Sequence, residues 1–419
     1  MTNRIQSIGV TDATVAVPGS KSYTHRALVT AALADGKSFI KNGLFCDDTS
    51  YTMGALKKLG ALIDRVGNSF TVRGVGGKPA ATSETLLFGN AGTSIRFLTA
   101  VTALGKGTYT LAGNARMSER PIQDLLDGLN QTGSHARSIN GNGCPPVCVE
   151  ADGLEGGSLT LKANISSQYL SALLLTGPYT KQGIDIEIPG ELVSRPYVTM
   201  TMEVMERFGA KVEEKDGNRF SVAGRTGYLP ASVAIEPDAS NSSYFWASAA
   251  ITGTKIKVAD IRRASSQGDL GLLDLLSAMG CHVEEEPDGV SVQGQPLHGI
   301  RADMGMMPDV VPTLAVVAAF AQGTTTISNV AHLKVKETDR LQAVKNELTK
   351  MGINVEVLPD GLIIEGGQPH KAVIDTYDDH RIAMCFAAAG LAVPGIEIRD
   401  PGCVEKSFPT FWETLAQLY

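Results

Sequence analysis

Ser20-Lys21-Ser22-Tyr23-Thr24-His25-Arg26-Ala27-Leu28-Val29-Thr30-Ala31-Ala32-Leu33-Ala34-Asp35-Gly36-Lys37-Ser38-Phe39-Ile40 passes from a polar cluster through small apolar residues to a glycine and a short strand-like segment. Ser20 reads as the N-cap of a helix that buries residues 27–33. The same order returns at 90–111 (NAGTSIRFLTAVTALGKGTYTL), 164–188 (NISSQYLSALLLTGPYTKQGIDIEI), 238–258 (DASNSSYFWASAAITGTKIKV), 308–327 (PDVVPTLAVVAAFAQGTTTI) and 378–398 (DDHRIAMCFAAAGLAVPGIEI). The glycines before the strands, Gly36, Gly107, Gly183, Gly253, Gly323 and Gly395, recur every 70 to 76 residues. Equal spacing over the whole length is the mark of internal duplication.

A second element shares the period. An amphipathic helix ends at Gly60, Gly133, Gly209, Gly280 or Gly352, and two strands follow, most clearly in LKKLGALIDRVGNSFTVRG, LLDLLSAMGCHVEEEPDGVSVQG and LTKMGINVEVLPDGLIIEGG. Glycine there suits a left-handed helix C-cap. Asp288-Gly289 and Asp360-Gly361 suit tight hairpin turns. Each repeat therefore reads β-α-β-α-β-β, an α/β chain of six units. Two clusters of three fit domain size better than one core. The first helix of each unit is apolar on nearly every side and is expected at the centre of its cluster; the second has an exposed face. The sixth copy ends at 411–419 without its two strands, and the only spare strands are within 5–17. The two chain ends are expected to meet in one domain.

Composition narrows the function. A net charge of −7 argues against a general nucleic-acid binder. Residues 1–10 lack the apolar core of a secretory leader, and no run of about 18 uncharged apolar residues offers a membrane span. The six cysteines (46, 144, 148, 281, 385, 403) lack zinc spacing and are expected as idle thiols in a reducing cytosol. Gly19-Ser20-Lys21-Ser22 looks like the tail of a phosphate loop, but Thr14 stands where its first glycine would be. No GxGxxG after a strand, HExxH or GxSxG occurs.

Cations instead gather at the helix starts: Lys21, Arg26, Arg96, Arg120, Arg195, Lys336, Arg340, Arg381 and Lys406. A helix N-terminus already carries partial positive charge, so cations there are unfavourable unless an anion is bound. Their number suggests two polyanionic ligands, and Pro121 and Pro196 are expected in first helical turns. Two acids break the pattern. Asp309 opens an apolar helix, and Glu337 lies between Lys336 and Arg340. A carboxylate among cations stays ionised and can serve as a general base. Positive charge from both clusters is expected to repel until anions bridge it, giving ligand-driven closure.

PGSKSYTHRAL, GNAGTSIRFL, MSERPI, SSQYLSALL, VKETDRL, YDDHRIAM and CVEKSFPTFW together resemble the 5-enolpyruvylshikimate-3-phosphate synthases, in order and over essentially the whole chain. The resemblance implies two domains, 20–236 and 1–19 plus 237–419, each of three βαβαββ units with central helices inside and sheets outside. It implies transfer of the enolpyruvyl group of phosphoenolpyruvate to the 5-hydroxyl of shikimate 3-phosphate through a tetrahedral ketal phosphate, with no metal or organic cofactor, in a cytoplasmic protein expected as a monomer. On matching positions Lys21, Ser22, Arg26, Ser166, Ser167, Gln168, Ser194, Tyr197, Asp309 and Lys336 would hold shikimate 3-phosphate. Lys21, Gly92, Arg120, Gln168, Arg340, Arg381 and Lys406 would hold phosphoenolpyruvate, with Asn90 shaping the loop. Asp309 would be the base on the hydroxyl, Glu337 and Lys21 the candidates for proton transfer at the methylene carbon, and Lys406 a further catalytic cation. His332 stands where some members have Asn, and Phe97 where some have Pro. Gly92 leaves room beside phosphoenolpyruvate that glyphosate occupies in sensitive members.

Three rivals remain on sequence. The sister transferase acting on UDP-N-acetylglucosamine wants a loop Cys, and residues 116–121 have none. An RNA-end cyclase wants a nucleotide site and a nucleophilic His. A non-catalytic anion-binding scaffold would have no need of Asp309, Glu337, Lys21 and Lys406 together.

Overall fold

A computed structural model describes residues 2–9 and 12–419. Met1, and Val10 and Thr11 inside the 5–17 stretch, lie outside the described residues. The chain divides into two compact units, Met1–Pro18 with Glu236–Tyr419, and Gly19–Ile235.

Gly19–Ile235 carries three four-stranded sheets and the helices Lys21–Leu33, Gly92–Ala103 and Ser167–Thr176. Each sheet repeats one topology, clearest in the middle copy. Leu86–Leu87 pairs parallel with Lys106–Ala112, and the helix Gly92–Ala103 is the crossover that a parallel pair needs. Val147–Asp152 then pairs antiparallel with both Lys106–Ala112 and His135–Ser138. The first copy takes its opening strand from the far end of the unit: Ser232–Ala234 lies parallel to Lys37–Lys41. That exchange closes the unit on itself.

The other unit is closed by the N-terminal segment. Asp12–Val15 pairs parallel with Lys255–Ala259, and Thr2–Arg4 pairs antiparallel with Glu397–Arg399, with Thr2 opposite Arg399. One strand thus lies inside the 5–17 stretch and the other precedes it. The partner strand sets the length: Glu397–Arg399 offers three residues, and Ile5 turns into the core with its N–H on the Ile396 carbonyl at 3.0 Å.

Small apolar side chains let the first helix of each repeat sit centrally. All eight residues of Val311–Ala318 are buried, as are twelve of the thirteen in His380–Ala392. The outer strands show period two instead: in Lys37–Lys41, Ser38 and Ile40 are buried while the other three face out. All eleven periodic glycines have positive φ, from 77° at Gly183 and Gly253 to 133° at Gly36. A side chain there would strain the backbone, so the period of the sequence is the period of a backbone requirement. The hairpins differ from expectation. Glu286 pairs with Gly289 and Leu358 with Gly361, so Pro287-Asp288 and Pro359-Asp360 form the turns. The glycines begin the return strands, where a Cβ would stand 2.2 Å from the Val258 carbonyl oxygen or 1.9 Å from that of Ile327. Among the described residues no helix is long and apolar enough to cross a membrane.

Candidate active site

In the Gly19–Ile235 unit, Ser20 caps the helix Lys21–Leu33 and its side chain accepts from the Tyr23 N–H. Lys21, the first helical residue, is at the electropositive end of the dipole. Its Nζ donates to Asp48 Oδ2 at 3.0 Å, and Asp48 is buried in the first turn of Asp47–Lys58. One turn further on, Arg26 is buried. Its guanidinium donates to Thr201 Oγ1 at 2.7 Å, the Ser22 carbonyl at 2.9 Å, the Tyr197 carbonyl at 2.8 Å and Ser171 Oγ at 3.5 Å. The rings of Phe97 and Tyr197 lie 5.3 and 6.0 Å from its Cζ. All four hydrogen bonds end on neutral oxygens. Burial lowers the guanidinium to about 10, which still leaves it charged at neutral pH. A buried cation matched only by neutral dipoles is costly, and an incoming anion relieves that cost.

The second subsite of this unit is built around Gly92. Arg120 Nη1 donates to both the Asn90 carbonyl and Asn90 Oδ1 at 2.9 Å. A Cβ on Gly92 would stand 2.6 Å from Arg120 Nη2 and 2.9 Å from its Cζ. Ser166 caps the helix Ser167–Thr176, with Ser167 buried beside it. Gln168 is held at both ends of its amide: Arg96 Nη1 donates to Oε1 at 2.7 Å, and Nε2 donates to Thr93 Oγ1 at 2.9 Å. Arg96 also reaches the Pro121 carbonyl at 3.1 Å and stacks 5.3 Å over Tyr169. It therefore orients a candidate ligand group. Pro121 precedes the helix Gln123–Gln131 and lends its carbonyl to this network, whereas Pro196 does open the helix Pro196–Arg207. Ser194 holds φ at +53°, a strained value for a residue with a side chain, and its carbonyl accepts the Tyr197 N–H at 3.1 Å. Arg195 leaves the cation group. It pairs with Glu214 and the Gly217 carbonyl on the neighbouring hairpin.

The other unit concentrates its charge on Arg340, which opens the helix Arg340–Lys350 and is buried. Its guanidinium binds three carboxylates: Asp379 through Nε at 2.8 Å and Nη2 at 3.2 Å, Asp309 Oδ1 at 3.0 Å and Glu337 Oε2 at 2.8 Å. Burial opposes its charge, but Asp379, Glu337 and Asp309 together raise it above an ordinary arginine. Arg381 Nη2 donates to Asp309 Oδ2 at 2.7 Å, so two arginines hold the two oxygens of Asp309. Burial resists ionisation of Asp309; Arg381, Lys336 and Arg340 overcome it and keep the carboxyl well below the usual range. Asp379 also caps its own helix, accepting the Arg381 N–H at 2.9 Å. It went unassigned on sequence because an Asp before a helix reads as a cap and nothing more.

His332 and Lys336 come from the segment around Ala331–Val335. Burial, with Lys336 beside it, lowers His332 to about 3, so the ring is neutral at physiological pH. Lys406 ends the short turn Pro401–Lys406, which packs on the helix His380–Ala392. The six cysteines are free and five are buried; burial pushes Cys46 and Cys281 up to about 11, so neither is a ready nucleophile. Among the described residues no group of three or more His, Cys, Asp or Glu could hold a metal ion.

The family described as EPSP synthase (3-phosphoshikimate 1-carboxyvinyltransferase) matches residues 5–415. A 3-phosphoshikimate 1-carboxyvinyltransferase of Nostoc punctiforme is 44% identical over 97% of this chain and 96% of its own length. One from Shewanella amazonensis is 42% identical over 99% and 98%. Among solved structures, an EPSP synthase from Acinetobacter baumannii superposes with a TM-score of 0.83 at 28% identity, covering all of this chain and 98% of that one. The enolpyruvyl transferase NikO from Streptomyces tendae has a TM-score of 0.79 at 21% identity, covering all of this chain and 96% of that one, a likeness of fold.

Proposed function

Because this chain belongs to the EPSP synthase family and so transfers the enolpyruvyl group of phosphoenolpyruvate to shikimate 3-phosphate, we propose that the two clusters of buried charge are its substrate cradles. Arg26 carries the reading: a buried, charged guanidinium whose hydrogen bonds all end on neutral oxygens is a site prepared for an anion. With Lys21, Ser22, Ser166, Ser167, Gln168, Ser194 and Tyr197 it binds shikimate 3-phosphate. Lys336 and His332 belong to the same proposed set, His332 as a neutral donor or acceptor. Phosphoenolpyruvate takes Lys21, Gln168, Arg120 beside Asn90 and Gly92, and Arg340, Arg381 and Lys406.

Asp309 is the general base on the 5-hydroxyl. While Arg340 and Arg381 hold it, it is a weak base. An anionic substrate that draws on the same arginines weakens their hold and raises the basicity of Asp309 when the hydroxyl arrives. Glu337 or Lys21 moves the proton at the methylene carbon, and the arginines stabilise charge on the tetrahedral intermediate. Six free thiols fit the reducing cytoplasm. Phosphate release is expected only when phosphoenolpyruvate and shikimate 3-phosphate are both present. Tight binding of both without turnover would leave an anion-binding scaffold.

Gly92 sets a size limit. Gly92→Ala brings a methyl to 2.6 Å from the Arg120 guanidinium, which must shift. The variant is expected to lose glyphosate inhibition by about 100-fold or more and to raise KM for phosphoenolpyruvate about tenfold, the scale of a displaced charged contact. Equal inhibition of both proteins would remove Gly92 from the inhibitor's subsite.

A further inference from the structure

Asp269 is a buried acid to which this mechanism gives no role. It sits in the turn Gly268–Gly271, packed against the start of the helix Ala239–Thr252 and against Pro308–Val310, which carries Asp309. Asp269 Oδ2 accepts the Ser240 hydroxyl in a short contact, while Oδ1 receives no hydrogen bond from any described residue. Ser240 Oγ in turn lies 3.4 Å from Arg381 Nη2, and that same nitrogen donates to Asp309 Oδ2 at 2.7 Å. The donors run in one direction: Arg381 to Ser240, Ser240 to Asp269. Arg381 is thus held between Asp309 on one side and the Ser240–Asp269 pair on the other, with Tyr244 OH at 3.3 Å from Nη1.

We propose that Asp269 is a positioning residue that acts through Ser240 on Arg381 and thereby tunes the affinity of the phosphoenolpyruvate subsite. The proposal rests on the reading of Arg381 given above. Three charged groups face Asp269: Asp309 from Pro308–Val310, Arg381 from the helix His380–Ala392, and Asp238, the cap of Ala239–Thr252. Burial and the Asp309 charge push the Asp269 carboxyl up to about 7, against the opposing pull of Arg381 and Ser240. An acceptor oxygen left without a donor fits a carboxyl that keeps its proton. As pH rises through neutrality, Asp269 ionises. The new negative charge then competes with the anionic substrate for Arg381, and affinity falls.

The test is D269N beside S240A. The amide oxygen that D269N introduces can still accept from Ser240, but the side chain cannot ionise. Between pH 6 and 8 the KM for phosphoenolpyruvate is expected to rise about three- to tenfold more in the wild type than in D269N, with kcat at pH 6 little changed. S240A cuts the connection and is expected to raise KM for phosphoenolpyruvate at every pH, with KM for shikimate 3-phosphate unmoved. A D269N profile parallel to the wild type, or an S240A enzyme with unaltered KM for phosphoenolpyruvate, overturns the proposal. If D269N does not fold, S240A decides alone. A wild-type protein that releases no phosphate from the substrate pair would overturn the assignment of Arg381 itself, a different outcome from parallel profiles in active enzymes.

Discussion

Arg340→Met is expected to lower unfolding stability by about 3–5 kcal/mol, the scale for removing one partner of a buried ionic network. The argument is one of stoichiometry. One guanidinium, 1% exposed, answers Asp309, Glu337 and Asp379, and Asp379 is itself fully buried. Methionine matches the length of the stem but brings no donor. Asp309 keeps Arg381, but Asp379 and Glu337 lose the guanidinium they share in a region of low dielectric. Urea unfolding at pH 7 reads the loss. Adding Asp379→Asn to the methionine variant removes the charge that lost its partner and is expected to restore about half of it. A methionine variant as stable as the wild type, or a double variant weaker by the plain sum of the two changes, would show that the network is not cooperative.

Much of this architecture was legible because it rests on backbone conformation. The eleven periodic glycines all sit at positive φ, so their spacing could be counted without knowing any contact. Counting strands also placed the chain ends in one domain, since a sixth repeat without closing strands needs them from elsewhere, and Thr2–Arg4 supplies one. What failed was the part that depends on direction. Arg96 and Arg195 hold equivalent-looking places at helix starts, yet one turns inward to orient Gln168 and the other outward to Glu214. Sequence spacing gives the place of a side chain along a helix and not the neighbour its long stem reaches. Asp288-Gly289 had the composition of a turn, but the glycine answers a neighbouring strand's carbonyl one residue later.

The acids were harder still. Asp269, Asp309 and Asp379 all precede or open helical turns, where a carboxylate has an ordinary capping role. Their differences come from what the fold brings beside them. Asp379, fully buried, gains Arg340, Asp309 gains two arginines, and Asp269 gains a hydroxyl and another acid. No local pattern separates these three environments, because each deciding hydrogen-bond partner lies 29 or more residues away along the chain.

Asp309→Asn is expected to cut kcat about 100- to 10,000-fold while leaving KM for phosphoenolpyruvate unchanged or lower. The split follows from the two arginines. In the free protein Asp309 occupies Arg340 Nη1 and Arg381 Nη2, the groups assigned to the anionic substrate. Asparagine keeps the shape, gives up the charge that competes for those cations, and cannot accept a proton from the hydroxyl. A residue needed only to place the arginines would show the reverse, a raised KM and a kcat close to normal. Steady-state kinetics with each substrate varied in turn distinguishes the two. An asparagine variant that keeps more than a tenth of the wild-type kcat would take Asp309 out of the proton transfer, and the base would then have to be sought at Glu337, whose Oε2 accepts from Arg340 Nη2 at 2.8 Å.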